Sequence, residues 1–115
     1  MVVIEHFSPR DINFKLPGGE ETDRVWSAYL HMREINEANV SLNRVITRGA
    51  RVGFVGAFPY ESQEDYHLHF EIRKKNIWEG AAYDEDYNII WMRPKDYVNS
   101  KFVDPSKFIR LNRPN

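Results

Sequence analysis

The run DYHLHFEIR, residues 65–73, alternates polar and apolar side chains with a period of two. That period constrains the chain more than any other feature of the sequence. Successive side chains of a β-strand point to opposite faces, so positions i, i+2 and i+4 share a side. On one strand, Leu68, Phe70 and Ile72 would form an apolar face, expected as core, while His67, His69 and Glu71 would line the other. RVWSAYLHM, residues 24–32, repeats the alternation with aromatic and β-branched residues and reads as another strand. It is a candidate hairpin partner for VVIEH, residues 2–6.

The punctuation between these runs is that of a β protein. FSPRDINFKLPGGEETD, residues 7–23, holds two prolines, paired glycines and a charge run, and is expected as a long exposed excursion. REINEAN, residues 33–39, is expected as a helical turn. VSLNRVITRGARVGFVGAF, residues 40–58, carries Gly49, Gly53 and Gly56 among Val and Ile; such glycines mark turns and close backbone approaches. PYESQE reads as a loop, YNIIWM as a late strand and RPKDYVNS as a turn. DPSKFIRL reads as a short terminal helix with Asp104 as cap and Pro105 at its first position. The fold expected is all-β, a mainly antiparallel open barrel or sandwich with a short C-terminal helix. It forms a single domain over residues 1–115, since a chain of this length builds one core.

Composition removes several functions. Sixteen basic against seventeen acidic residues leave a net charge of −1, which argues against nucleic acid or an anionic membrane as electrostatic partner. Three Trp, six Tyr and seven Phe are too many for a disordered chain. There is no cysteine, so a metal would have to rest on His, Asp and Glu. No apolar run of about 18 residues is present to serve as a transmembrane segment.

Two histidines at i and i+2 on a strand can aim both rings toward one point. Such a pair can be two zinc ligands, one ligand beside a general base, or an ordinary strand pair with no metal. The surrounding residues favour a reading. HLHFEIR resembles the signature of the lysostaphin-type (LytM-like) zinc metalloendopeptidases, which cut peptide cross-links of bacterial peptidoglycan. VVIEH is similar to that family's strand ahead of its second block, and SAYLHM to its Y-x-H-L block. VITRGARVGFVG is similar to the V-x-x-G-x-x-I-G-x-x-G run, and VDPSKFI to the closing NP-x-x-Y-L. These blocks follow family order across nearly the whole chain, and all four histidines lie within them.

The resemblance implies that His69 is a zinc (Zn2+) ligand. It implies that His67 and His31 flank the metal-bound water and handle protons or stabilise the tetrahedral intermediate. It also implies action at the cell envelope or outside the cell. The family's remaining ligands, a His and an Asp in H-x-x-x-D spacing, lie upstream of the strand that VVIEH matches. MVVIEHF opens in mid-strand, so the chain is expected to be the C-terminal part of such a catalytic domain, inactive alone. His6 and Asp11 are five apart rather than four, and are expected not to replace that pair. Asp65 and Glu64 adjoin the H-x-H but could not act as ligands without moving the site. The acidic AFPYESQEDY stands where the family has a Gly/Ser/Thr-rich loop, so substrate preference would differ. The excursion over residues 7–23 and the segment over 78–97 exceed the family core and are either groove rims or plain surface loops. Two further readings stay open: a non-catalytic LytM-like module that binds a protein partner or the cell wall, and a sugar-binding β-sandwich using its aromatics.

Overall fold

The alternating segments become short strands that belong to more than one sheet. The computed structural model describes residues 1–57, 66–75 and 95–113, with the side chain of Tyr97 excepted. Among the described residues are strands β1 (Val2–Phe7), β2 (Phe14–Lys15), β3 (Glu21–Thr22), β4 (Arg24–Leu30), β5 (Met32–Ile35), β6 (Gly53–Ala57), β7 (Tyr66–His67), β8 (His69–Arg73) and β9 (Phe102–Val103). Two short helices accompany them, α1 (Lys95–Lys101) and α2 (Pro105–Asn112). The strands form a four-stranded sheet in the order β1-β4-β8-β9, a β2-β3 hairpin and a three-stranded sheet in the order β5-β6-β7. The hairpin, both contacts of β6 and the β8–β9 pair are antiparallel. The all-β reading with a short C-terminal helix therefore holds. The chain divides into two compact units, Val3–Ala28 with Phe70–Asn115, and Met1–Val2 with Tyr29–His69.

The first of these is built around a core. Leu16, Val25, Ile72 and Phe108 are buried together, with Phe14, Phe70 and Val103 packed on them. Each such side chain contributes about 1.5–3 kcal/mol on leaving water. Phe108 meets Phe14 with ring centroids 5.6 Å apart in a tilted arrangement, a geometry aromatic quadrupoles favour. The excursion expected over residues 7–23 is thus only partly an excursion. Its centre is the β2-β3 hairpin, and Leu16 enters the core because Pro17 and Gly19, with φ 91°, turn the chain tightly behind it. Asn112 clamps α2 to this hairpin. Its side chain accepts from the Lys15 amide and donates to the Lys15 carbonyl, each at 2.8 Å.

Helix α2 starts as the sequence predicts. The Asp104 carboxylate accepts the Lys107 amide at 3.1 Å and Pro105 follows it. RPKDYVNS, expected as a turn, instead supplies α1 from Lys95 onward. Asp96 in its first turn and Lys101 in its last complement the helix dipole, a signal that the preceding proline obscured. On β8, Arg73 is 0 % exposed, and its guanidinium holds the Glu71 carboxylate at 2.7 and 2.8 Å. YNIIWM and PYESQE lie outside the described residues.

The second unit centres on β5-β6-β7. Residues 33–35 extend as strand, and the chain then closes in a turn in which the Asn39 and Val40 amides reach the Asn36 carbonyl at 3.0 and 2.8 Å. The helical turn expected over REINEAN is therefore confined to its end. Met32 pairs with Val55 and Glu34 with Phe54, so Arg33 is one residue too many on β5, a bulge. Arg33 and Arg51 both lie over the Phe54 ring, 5.5 and 5.1 Å from its centroid. Leu42 and Val45, 82 % and 91 % exposed, stand on the loop between β5 and β6.

DYHLHFEIR is not one strand. Residues 66–67 belong to β7 and pair with β6; residues 69–73 belong to β8 and pair with β9. Leu68 falls between the two strands and is 44 % exposed, not core, because the pleat is interrupted where the chain changes sheets. Phe70 and Ile72 take the apolar role expected of them.

Candidate functional site

RVWSAYLHM, expected as a single strand, is interrupted by its histidine. β4 ends at Leu30, β5 starts at Met32, and His31 between them has φ 63°. Left-handed backbone is uncommon for a residue with a Cβ and costs roughly 1–2 kcal/mol. His67 closes the short β7 and is exposed; His69 opens β8 and is half-buried. The His31 ring centroid lies 5.1 Å from that of His67 and 5.5 Å from that of His69, edge-on in both cases. The structure thus brings together the three histidines that the sequence singles out, two from HLH and one from the Y-x-H block. All three belong to the same unit.

The electrostatics follow from the crowding. Partial burial, then the neighbouring His69 and His67 imidazoles and the terminal ammonium, hold the His31 imidazole below the usual histidine value. A ring so placed is neutral at neutral pH and ready to accept a proton. Glu71, expected on the same face as His67 and His69, has its carboxylate engaged by Arg73. His6, considered as a substitute ligand, lies on β1 with Nε2 2.7 Å from the Ser27 hydroxyl; burial lowers its pKa as well. Asp65 and Glu64 lie outside the described residues, as does most of the loop before H-x-H.

Zinc needs three or four converging N or O donors. Among the described residues, no group of three His, Asp or Glu side chains is arranged to hold a metal ion. The imidazole trio by itself does not fit zinc, and what it offers chemically is proton acceptance and donation. Among the described residues no helix is long and apolar enough to cross a membrane.

Two arrangements were not among the candidates read from the sequence, one in each unit. Ser27, buried at the heart of β4, partners His6; no pattern in the sequence pairs them. Gly56 touches the site through its backbone, and only its place in the glycine-spaced run hinted at a close approach. No protein-family model, curated protein or solved structure matches this chain.

Proposed function

We propose that this chain carries the imidazole part of a lysostaphin-type zinc endopeptidase site, in a LytM-like domain acting on peptide cross-links of bacterial peptidoglycan. The observation that carries the reading is the meeting of His31 with His67 and His69, from two sequence blocks that resemble the family's and stand in its order. In this reading His31, neutral and crowded, accepts a proton from the attacking water, and the exposed His67 passes a proton to the leaving amine. His69 is the ligand that the chain contributes. A zinc ion, were its ligand set completed, would supply Lewis acidity and an acidified water; the remaining ligands are not found among the described residues.

A non-catalytic module is the second reading. Leu42 and Val45, almost fully exposed on one loop, are the apolar side chains that such a partner would cover.

Joining a segment with an H-x-x-x-D block ahead of Val2 separates the two. The chain alone is expected to leave purified peptidoglycan intact, and the joined protein to bind zinc and release new amino termini from it. There, His69→Ala removes the metal, whereas His67→Ala keeps zinc and loses about 10²–10⁴-fold in turnover. A joined protein that folds, holds zinc and cuts nothing would leave the binding module standing.

A further inference from the structure

We propose that Gly56 is the positioning residue of the His31–His67 pair, acting through its backbone alone. The inference rests on reading those imidazoles as the working groups of the site. Gly56 lies on β6, the middle strand of three. Toward one side its amide donates to the His31 carbonyl at 2.9 Å. Toward the other it is the register partner of His67 on β7. One residue therefore ties both histidines to a common strand.

Only glycine can make the first of these ties. A Cβ at position 56 would stand 2.5 Å from the His31 carbonyl oxygen, 2.6 Å from the Arg33 nitrogen and 2.9 Å from the Met32 carbonyl carbon. Real Cβ atoms essentially never come within 3.0 Å of a neighbour. All three neighbours are backbone, so no side-chain rotation relieves the clash. They also span the bulge, where β5 carries its extra residue against β6. A side chain at 56 would push this stretch off β6 and carry His31 with it, while His67 on the opposite flank could keep its pairing.

The backbone of His31 points the same way. A positive φ on a residue with a Cβ persists where the surroundings over-determine it. The bond from the Gly56 amide to the His31 carbonyl is one such constraint, applied at the residue that turns the chain from β4 into β5. Freed of it, His31 is expected to relax to negative φ and swing its ring away from His67.

Solution NMR on the isotope-labelled 115-residue chain tests this without any activity measurement. The wild-type chain should show a through-hydrogen-bond coupling between the Gly56 nitrogen and the His31 carbonyl carbon. It should also show a cross-peak between the His31 and His67 rings, and the intense intraresidue amide–Hα cross-peak of His31 that a positive φ produces. Gly56→Ala should lose all three while keeping the cross-peaks between Phe14 and Phe108. Gly53→Ala is the matched comparison, since Gly53 on the same strand is crowded by the Glu34 backbone and the Met32 side chain; it should keep the ring–ring cross-peak. Retention of that peak in Gly56→Ala, or its equal loss in Gly53→Ala, would overturn the proposal. Should Gly56→Ala fail to fold, the wild-type coupling decides: its presence supports the assignment and its absence overturns it. These readouts are geometric, so a joined protein that cuts no peptidoglycan would sink the hydrolase reading and leave the Gly56 result unaffected.

Discussion

In the unit formed by Val3–Ala28 and Phe70–Asn115, a cluster of apolar side chains is buried, while Phe7, Ile12, Ile109 and Leu111 stay exposed. Leu16, Val25, Ala28, Ile72 and Phe108 are buried there, the guanidinium of Arg73 is paired, and α2 is capped and clamped. In the unit formed by Met1–Val2 and Tyr29–His69, Val2 is the buried apolar residue among those described, while Leu42, Val45, Val55 and Tyr66 are exposed. There, like-charging imidazoles are crowded together, a histidine holds a left-handed backbone, and two strands approach closely enough to require glycine. The contrast teaches that the buried apolar cluster and the candidate site are lodged in different parts of a short chain. The crowded imidazoles and the glycine-dependent strand approach belong to the unit with the candidate site, and the buried apolar cluster belongs to the other.

The largest expected effect breaks the contrast from the core side. Phe108→Ala should cost about 3–5 kcal/mol in urea denaturation, since it removes a buried ring from the cluster with Phe14, Leu16 and Ile72. A cost below about 1 kcal/mol would mean that this cluster is not what holds the chain folded.

A smaller effect is read in pH. His6 and His31 both have folded-state pKa values below the ordinary value, His6 through burial and His31 through burial and its charged neighbours. The unfolded chain therefore takes up protons first as the medium is acidified. Their contribution to stability is complete above a pH of about 6.5 and is lost progressively as the pH falls toward the folded-state values. Denaturation midpoints measured from pH 8 to pH 5 should decline below about 6.5, and His6→Gln should flatten part of that decline. A stability that rises on acidification across this range would contradict the shifts.

The smallest expected effect sharpens the contrast from the other side. Val45→Ala, at a side chain 91 % exposed, should change stability by less than about 0.5 kcal/mol. A loss of more than about 1 kcal/mol would show that Val45 is packed in solution and that this unit has a core of its own.

What the sequence disclosed follows the same division. Local signals carried well: the Asp104 cap with Pro105, the strands beginning at Val2 and Arg24, and the apolar roles of Phe70 and Ile72 were legible because each depends on neighbours within a few residues. The burial of Leu16 was not, since a Pro-Gly-Gly turn looks like surface until Phe108, some ninety positions later, arrives to cover the residue ahead of it. The break at Leu68 was hidden by the period itself, as alternation says which faces a strand has and nothing about whether it changes partners. The meeting of His31 with the HLH pair was legible only through the order of blocks that resemble a family's. Its physical basis, a positive φ and a bare glycine on the strand between, is tertiary and leaves little trace in composition or spacing.

One substitution tests the central claim, that the backbone at His31 is maintained for chemistry at some cost in stability. His31→Gly removes the penalty of a Cβ at φ 63° together with the imidazole. It should raise the free energy of unfolding by up to about 1 kcal/mol, since glycine adopts left-handed backbone without strain. In the chain joined to an H-x-x-x-D segment, the proposed hydrolase reading predicts that it also abolishes any peptidoglycan cleavage. A stability that falls by more than about 1 kcal/mol would place His31 among the groups that hold the fold, and undiminished cleavage would remove it from the site.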